Sequence, residues 1–237
     1  MNISEIIQES DMVLIGIGEV FQEQFEEIAV KDINNITIIE EYARKKYLDT
    51  RENDRVLEAY NKLARLLEGK NYFIVTLSND DKIFHSNLRQ DRIVAPCGTY
   101  SLMQCEDVCT GDNYPVEEYR DILEKGMEPV CPHCGKRMVM NHIGCKKYSE
   151  EWYLGQWNLY TKWLQGTLNR KLCVLELGVG MKYPSVIRWP FEKVVFINQK
   201  AKFIRVHEYL YQLTQEVKEK GISIQENPID FLINQIV

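Results

Sequence analysis

The sequence predicts an α/β fold: a Rossmann-like, doubly wound parallel sheet with a small metal-binding module inserted in it. Two observations carry the prediction. Short apolar runs at residues 12–15, 72–77 and 172–177 alternate with stretches of helical periodicity, and two of them lead into glycine pairs, Gly16-Ile17-Gly18 and Gly178-Val179-Gly180. Unbroken apolar runs mark strands buried on both faces, the signature of a parallel sheet covered by helices. Between these runs, a polar stretch holds four cysteines as two close pairs, Cys105-x-x-x-Cys109 and Cys131-x-x-Cys134.

Taken in order, residues 12–15 read as a buried strand passing into a tight turn. Val20, Phe21, Phe25, Ile28 and Ala29 recur near helical spacing and predict a helix over 19–30. Helices follow over 36–47 and 55–67, the second stopped by Gly69 and Lys70. Residues 72–77 form a strand, 80–88 a short helix, 92–95 a strand and 99–103 an extended run. The insertion occupies 104–148, with a short helix over 116–124. A Trp-rich helix over 151–168 returns the chain to the core. A strand over 172–177, a turn or short helix over 184–189, strands over 193–197 and 202–206, and helices over 208–218 and 228–237 complete it. The expected division is a Rossmann-like domain from 1–103 and 149–237, and a zinc-binding module at 104–148.

The 237 residues suffice for one sizeable core with a small appended module, and their formal net charge of −6 argues against nucleic-acid binding, which draws on clustered Lys and Arg. The cluster Lys136, Arg137, Lys146 and Lys147 reads as a solvated face, although it has the composition of an anion site. No run approaches the roughly 20 apolar residues of a membrane span, and the amino terminus lacks a basic start and long apolar run. Seven cysteines without an export signal favour a reducing compartment, so the expected location is the cytoplasm.

Cys105, Cys109, Cys131 and Cys134 suit a structural zinc site. Four thiolates arrive as two knuckles, and the second, Cys131-Pro132-His133-Cys134-Gly135, has turn residues where the chain must wrap a metal. The alternative is four thiols at coincidental spacing. A catalytic zinc is disfavoured, since such a site mixes ligand types and leaves a position open. Glycines between a strand and a helix let backbone amides approach a pyrophosphate, as Gly16, Gly18, Gly178, Val179 and Gly180 are placed to do; a plain strand-to-helix turn has the same composition. Ser78, Asn79 and Asp80 suit helix capping, which leaves the Asn79-x-Asp81 spacing unaccounted for.

The ordered motifs resemble the sirtuin family, most closely its macrodomain-linked branch, called class M. The resemblance rests on Gly16-x-Gly18, Asn79-x-Asp81, Gly98 with Tyr100, the four cysteines, Leu175-Glu176-Leu177-Gly178-Val179-Gly180 followed by Pro184, Ile187-Arg188 and Pro190-Phe191-Glu192, and Asn198. It implies NAD as cofactor, with Asn79 and Asp81 beside the nicotinamide and its ribose, the glycine loops along the pyrophosphate, and Asn198 on a ribose hydroxyl. It also implies a protein substrate, whose identity the sequence leaves open.

Two departures bear on activity. Where the deacylases of this family carry a histidine base before the glycine, and the class M branch a Gln, this chain has Cys97; an unperturbed thiol is a poor proton acceptor at neutral pH. Ordinary deacylation thus loses its base, and Cys97 enters the catalytic set with Asn79 and Asp81 only as the residue at that position. After Gly18 the chain runs Glu19-Val20-Phe21-Gln22-Glu23, bringing carboxylates where a pyrophosphate would lie. The sequence therefore leaves two readings: an NAD-dependent protein ADP-ribosyltransferase, or a sirtuin-fold nucleotide sensor or scaffold without turnover. A zinc-ribbon nucleic-acid binder is opposed by the acidic charge.

Overall fold

The computed structural model describes residues 3–22, 37–49 and 54–235. In chain order the elements are α1 (Ile3–Glu9), β1 (Met12–Ile17), α2 (Ile38–Asp49), α3 (Arg55–Leu66), β2 (Asn71–Thr76), β3 (Ile93–Val94), β4 (Gly98–Cys105), β5 (Asn113–Pro115), α4 (Arg120–Glu124), β6 (Met138–His142), α5 (Glu151–Gln165), β7 (Leu172–Leu177), α6 (Arg188–Ile197), β8 (Lys202–Val206), β9 (Gly221–Ile224) and α7 (Pro228–Gln235). The main sheet has six parallel strands in the order β3-β2-β1-β7-β8-β9. The chain winds outward from β1 in one direction and from β7 in the other, so the switch in winding falls between these two neighbours. In open α/β sheets the crevice at such a switch, outside the carboxyl ends of the strands, is where ligands bind.

Both faces of the sheet are covered. Ile15, Ile17, Ile74, Leu175 and Ile204 pack with Tyr60 and Leu63 of α3 and with Phe231 and Leu232 of α7. Leu14, Phe73, Val174 and Phe203 pack with Tyr153 and Tyr160 of α5 and Phe191 and Val195 of α6. Residues of β1 and β7 are buried throughout, which explains why both runs lack the polar alternation of a half-exposed strand. Asp54 caps α3 by accepting from the amides of Val56 and Leu57 at 2.9 and 3.1 Å.

A second sheet, in the order β5-β4-β6 and antiparallel, carries the cysteine pairs. Its own small core joins Met103, Val116, Leu123, Met138 and Met140 to Ile38 of α2. Thus α2, distant in sequence, packs on this sheet. The sheet starts at Gly98, before the expected insertion start at residue 104.

Four expected elements take other forms. Residues 193–197, read as a strand from their β-branched content, belong to α6, because Phe191 and Val195 stand one turn apart and bury together. The 208–218 stretch is not a helix: the carbonyls of Leu210 and Gln212 accept from Arg188 and Arg205 at 3.0 and 2.7 Å, taking acceptors that a helix would pair with its own amides. Over 80–88 only a 3-10 turn forms, Lys82–His85. Of the helix expected at 19–30, a 3-10 turn at Glu19–Phe21 is described, and residues 23–30 lie outside the described residues. Neither α1 nor β9 was expected.

Candidate functional site

The glycine loops after β1 and β7 meet at the switch point. Gly18 donates to the Leu177 carbonyl at 2.8 Å, and a Cβ on Gly18 would lie 2.0 Å from the Gly178 carbonyl oxygen. Gly178 has φ +63°, and a Cβ there would lie 2.7 Å from Val20. Only glycines permit this backbone-on-backbone contact. Gly16 differs: it lies inside β1, and a Cβ there would come within 2.5 Å of Ile187 and 2.9 Å of Phe191. Close packing of α6 on the sheet requires a glycine at this position.

The carboxyl end of β2 supplies Asn79 and Asp81, both buried. Asn79 Oδ1 accepts from Gln22 Nε2 at 2.7 Å, and its carbonyl accepts from the Tyr100 amide at 3.0 Å. Asp81 sits in the left-handed region at φ +64°, and its carboxylate accepts from Thr99 Oγ1 and, at 2.8 Å, from Ser101 Oγ. Burial raises its pKa, and the two β4 hydroxyls oppose that rise. Asn79 and Asp81 are therefore held by the second sheet, which ties the first β2 loop to the cysteine module. A glycine is required at position 98 because φ is +108° and a Cβ would meet the Asn141 carbonyl at 2.3 Å.

Cys97 directly precedes Gly98 and packs in the core beneath α5 and α6. It is 1 % exposed, and burial pushes its thiol up to about 12, aided by the negative charge of Glu19. Asn198 is reassigned: it follows α6 rather than a strand, and Nδ2 donates to the carbonyls of Thr167 and Arg170 at 3.0 and 3.2 Å. Those carbonyls precede β7, so Asn198 lies at the amino edge of the sheet, opposite the glycine loops. The residue at the carboxyl end of β8 is His207, whose Nδ1 accepts from the amides of Tyr209 and Leu210 at 3.0 and 3.1 Å. The sequence signal for His207 was its place directly after the run at 202–206.

The four cysteines converge. Their sulfurs all lie within 4.8 Å of one another, with Cys105 Sγ 3.5 Å from Cys134 Sγ and Cys109 Sγ 3.6 Å from Cys131 Sγ. A tetrahedral site with metal–sulfur bonds of about 2.3 Å requires sulfurs roughly 3.8 Å apart. The cluster can hold a metal ion, and all four thiols are free of disulfides. Gly135, at φ +73°, closes the second knuckle, with its amide on the Cys131 carbonyl at 2.9 Å.

The groups at this edge fit a dinucleotide in part. Gly18 and Gly178 approach each other closely, with their amides on the Leu177 and Val206 carbonyls at 2.8 and 2.9 Å, and the buried Asn79 and Asp81 follow the neighbouring strand. The Gly180 amide, however, is held by Glu19 Oε2 at 2.7 Å.

No protein-family model matches the chain. It is similar to a protein ADP-ribosyltransferase of Staphylococcus aureus, 24% identical over 183 residues that make up 72% of this chain and 58% of that protein. It is also similar to a probable bifunctional ADP-ribose hydrolase/ADP-ribosyltransferase of Fusarium oxysporum f. sp. cubense, 28% identical over 155 residues, 58% of this chain and 26% of that protein. The chain thus spans less than two thirds of the first relative and about a quarter of the second. Among solved structures, a sirtuin examined for substrate affinity aligns with TM-score 0.66 at 15% identity, covering 100% of this chain and 98% of that one. A complex of Sir2 with a p53 peptide and NAD+ aligns with TM-score 0.59 at 15% identity, covering 96% and 93%. Six parallel strands whose winding switches between β1 and β7, joined to a four-cysteine module, give this chain the sirtuin fold.

Proposed function

We propose that the chain is an NAD-dependent ADP-ribosyltransferase acting on a protein. The observation that carries this reading is the gathering of Gly18, Asn79, Asp81 and the Gly178–Gly180 loop at one carboxyl edge of the sheet, supported by the two relatives named for ADP-ribosyl transfer. When bound, NAD supplies the labile bond between its ribose and nicotinamide. The backbone of Gly18, Gly178 and Val179 would hold the dinucleotide, while Asn79 and Asp81 orient its nicotinamide end, positions fixed by Gln22, Thr99 and Ser101. Positioning of this kind lowers a barrier by restricting the reactants before reaction. The buried neutral thiol of Cys97 speaks against deacylation through a base at that position.

In this reading Cys105, Cys109, Cys131 and Cys134 hold a structural zinc, and residues 104–148 form the metal-clamped module on a domain made of 1–103 and 149–237. A cytoplasmic setting, where thiols stay reduced, suits such a site. Among the described residues no helix is long and apolar enough to cross a membrane. The test is mass-spectrometric detection of nicotinamide release and ADP-ribose transfer to proteins of the source lysate. Asn79→Ala should lose at least tenfold in both. Absence of turnover in the intact chain, with NAD nevertheless bound, would favour a nucleotide sensor instead.

A further inference from the structure

Glu19 stands where the two glycine loops meet. Its Oε2 accepts from the Gly180 amide at 2.7 Å, and a Cβ on Gly180 would lie 3.1 Å from that oxygen, so the carboxylate rests directly on the loop backbone. Its second oxygen, Oε1, is buried with no hydrogen-bond partner among the described residues. Two cations lie nearby: Arg188, which also faces Glu176 and Glu192, interacts electrostatically with Glu19, and Lys182 acts on the adjoining Cys97, whereas burial holds His207 below the usual imidazole range. Arg188 is fixed under the loop by bonds to the Val179 and Leu210 carbonyls at 2.9 and 3.0 Å. An amide donor and nearby cations make a place for an anion, and the chain fills it with its own carboxylate.

A latch that served the fold alone would gain nothing from burying its other oxygen without a donor, which leaves that oxygen's lost hydration uncompensated. We infer that Glu19 is a resident anion in the nucleotide cradle, competing with the diphosphate of a ligand for the Gly180 amide, so that diphosphate-bearing ligands bind only when Glu19 swings aside. The inference rests on the proposed dinucleotide site and adds a selectivity to it. Ligands that bring phosphate bear the cost of displacing a like charge, whereas a nucleoside without phosphate does not.

Calorimetric titration of NAD, ADP-ribose and adenosine into the wild-type chain, Glu19→Gln and Glu19→Ala tests this directly. Glu19→Gln keeps a carbonyl to accept from Gly180 and removes the charge; it serves if Glu19→Ala loosens the loop, as thermal unfolding will show. NAD and ADP-ribose are expected to bind at least tenfold more tightly to Glu19→Ala and to gain a smaller factor in Glu19→Gln, with adenosine unchanged. Equal affinity of all three proteins for NAD and ADP-ribose would overturn the inference and leave the nucleotide site standing. Failure of every protein to bind any of the three ligands would remove the nucleotide site, and the role of Glu19 with it.

Discussion

Arg205 on β8 and Glu176 on β7 face one another in register as a buried bidentate pair, with Nε to Oε1 at 2.7 Å and Nη2 to Oε2 at 3.1 Å. Both side chains are 1% exposed. Arg205 also reaches Glu192 of α6 at 2.7 Å and the Gln212 carbonyl at 2.7 Å, and so fixes α6 and the irregular stretch before β9 to one point on the sheet. A buried pair contributes little over an apolar substitute, but removing one partner strands the other charge in a dry interior. Arg205→Ala should therefore lose about 3–5 kcal/mol in urea denaturation. The double replacement Arg205→Met with Glu176→Met should recover most of that loss. A single variant as stable as wild type would show the pair to be solvated.

The same pair shows what the sequence made legible. Glu176, Arg188 and Glu192 belong to one sequence motif, yet Arg205, the partner of both glutamates, lies in a run that reads only as a strand. Strands β1, β2 and β7 are readable because burial on both faces leaves a largely apolar run, whereas β8 carries Lys202 and Arg205 among its apolar residues. The cysteine cluster was readable because metal ligation restricts spacing. Tertiary decisions were not readable. Nothing local in 208–218 announces that Arg188 and Arg205 will take its carbonyls, and β-branched residues in 193–197 mimic a strand until Phe191 and Val195 find the sheet. Asn198 was misplaced for the same reason, since its position followed from the wrong element.

Asp80 predicts a pH dependence. Its Oδ1 accepts from Ser78 Oγ at 2.9 Å and from the Lys82 amide at 3.2 Å, while Oδ2 is buried with no partner among the described residues. Burial pushes its pKa up from 3.8 to about 6, against the pull of those bonds and of the Lys82 charge. A carboxyl whose folded pKa lies above its unfolded one holds its proton more tightly in the fold. Its contribution to stability is thus lost as pH rises from about 4 to about 6, and stays lost above that. Asp80→Asn keeps the acceptor and removes the charge. It should be more stable than wild type by on the order of 1 kcal/mol at pH 7.5, with the difference vanishing near pH 4. A constant difference across that range would rule out titration of Asp80 as the cause.

The cysteine cluster predicts metal-dependent folding of the second sheet. Cys105 and Cys131 are buried within the small core beside Met103, Met138 and Met140, so two of the four candidate ligands are also packing residues. Protein purified without chelator should carry about one zinc per chain by elemental mass spectrometry. Cys131→Ser with Cys134→Ser should lose that metal and lower the melting temperature. Retention of metal by the double variant would place the ion elsewhere.

Asn198 separates architecture from ligand binding. It is 3% exposed, and its Nδ2 holds the Thr167 and Arg170 carbonyls, while Oδ1 accepts from the Lys200 amide at 3.0 Å. These bonds tie the end of α6 to the turn before β7. Removing the amide breaks both Nδ2 bonds, but the Thr167 carbonyl keeps the Arg170 amide and Arg170 is exposed, so Asn198→Ala should lose only about 1 kcal/mol. The glycine loops stand at the other end of the same strands, beyond the six residues of β7. At a temperature where the variant remains folded, its NAD affinity should equal that of wild type. A large loss of NAD affinity in folded Asn198→Ala would return this residue to the cofactor site and contradict its position at the amino edge.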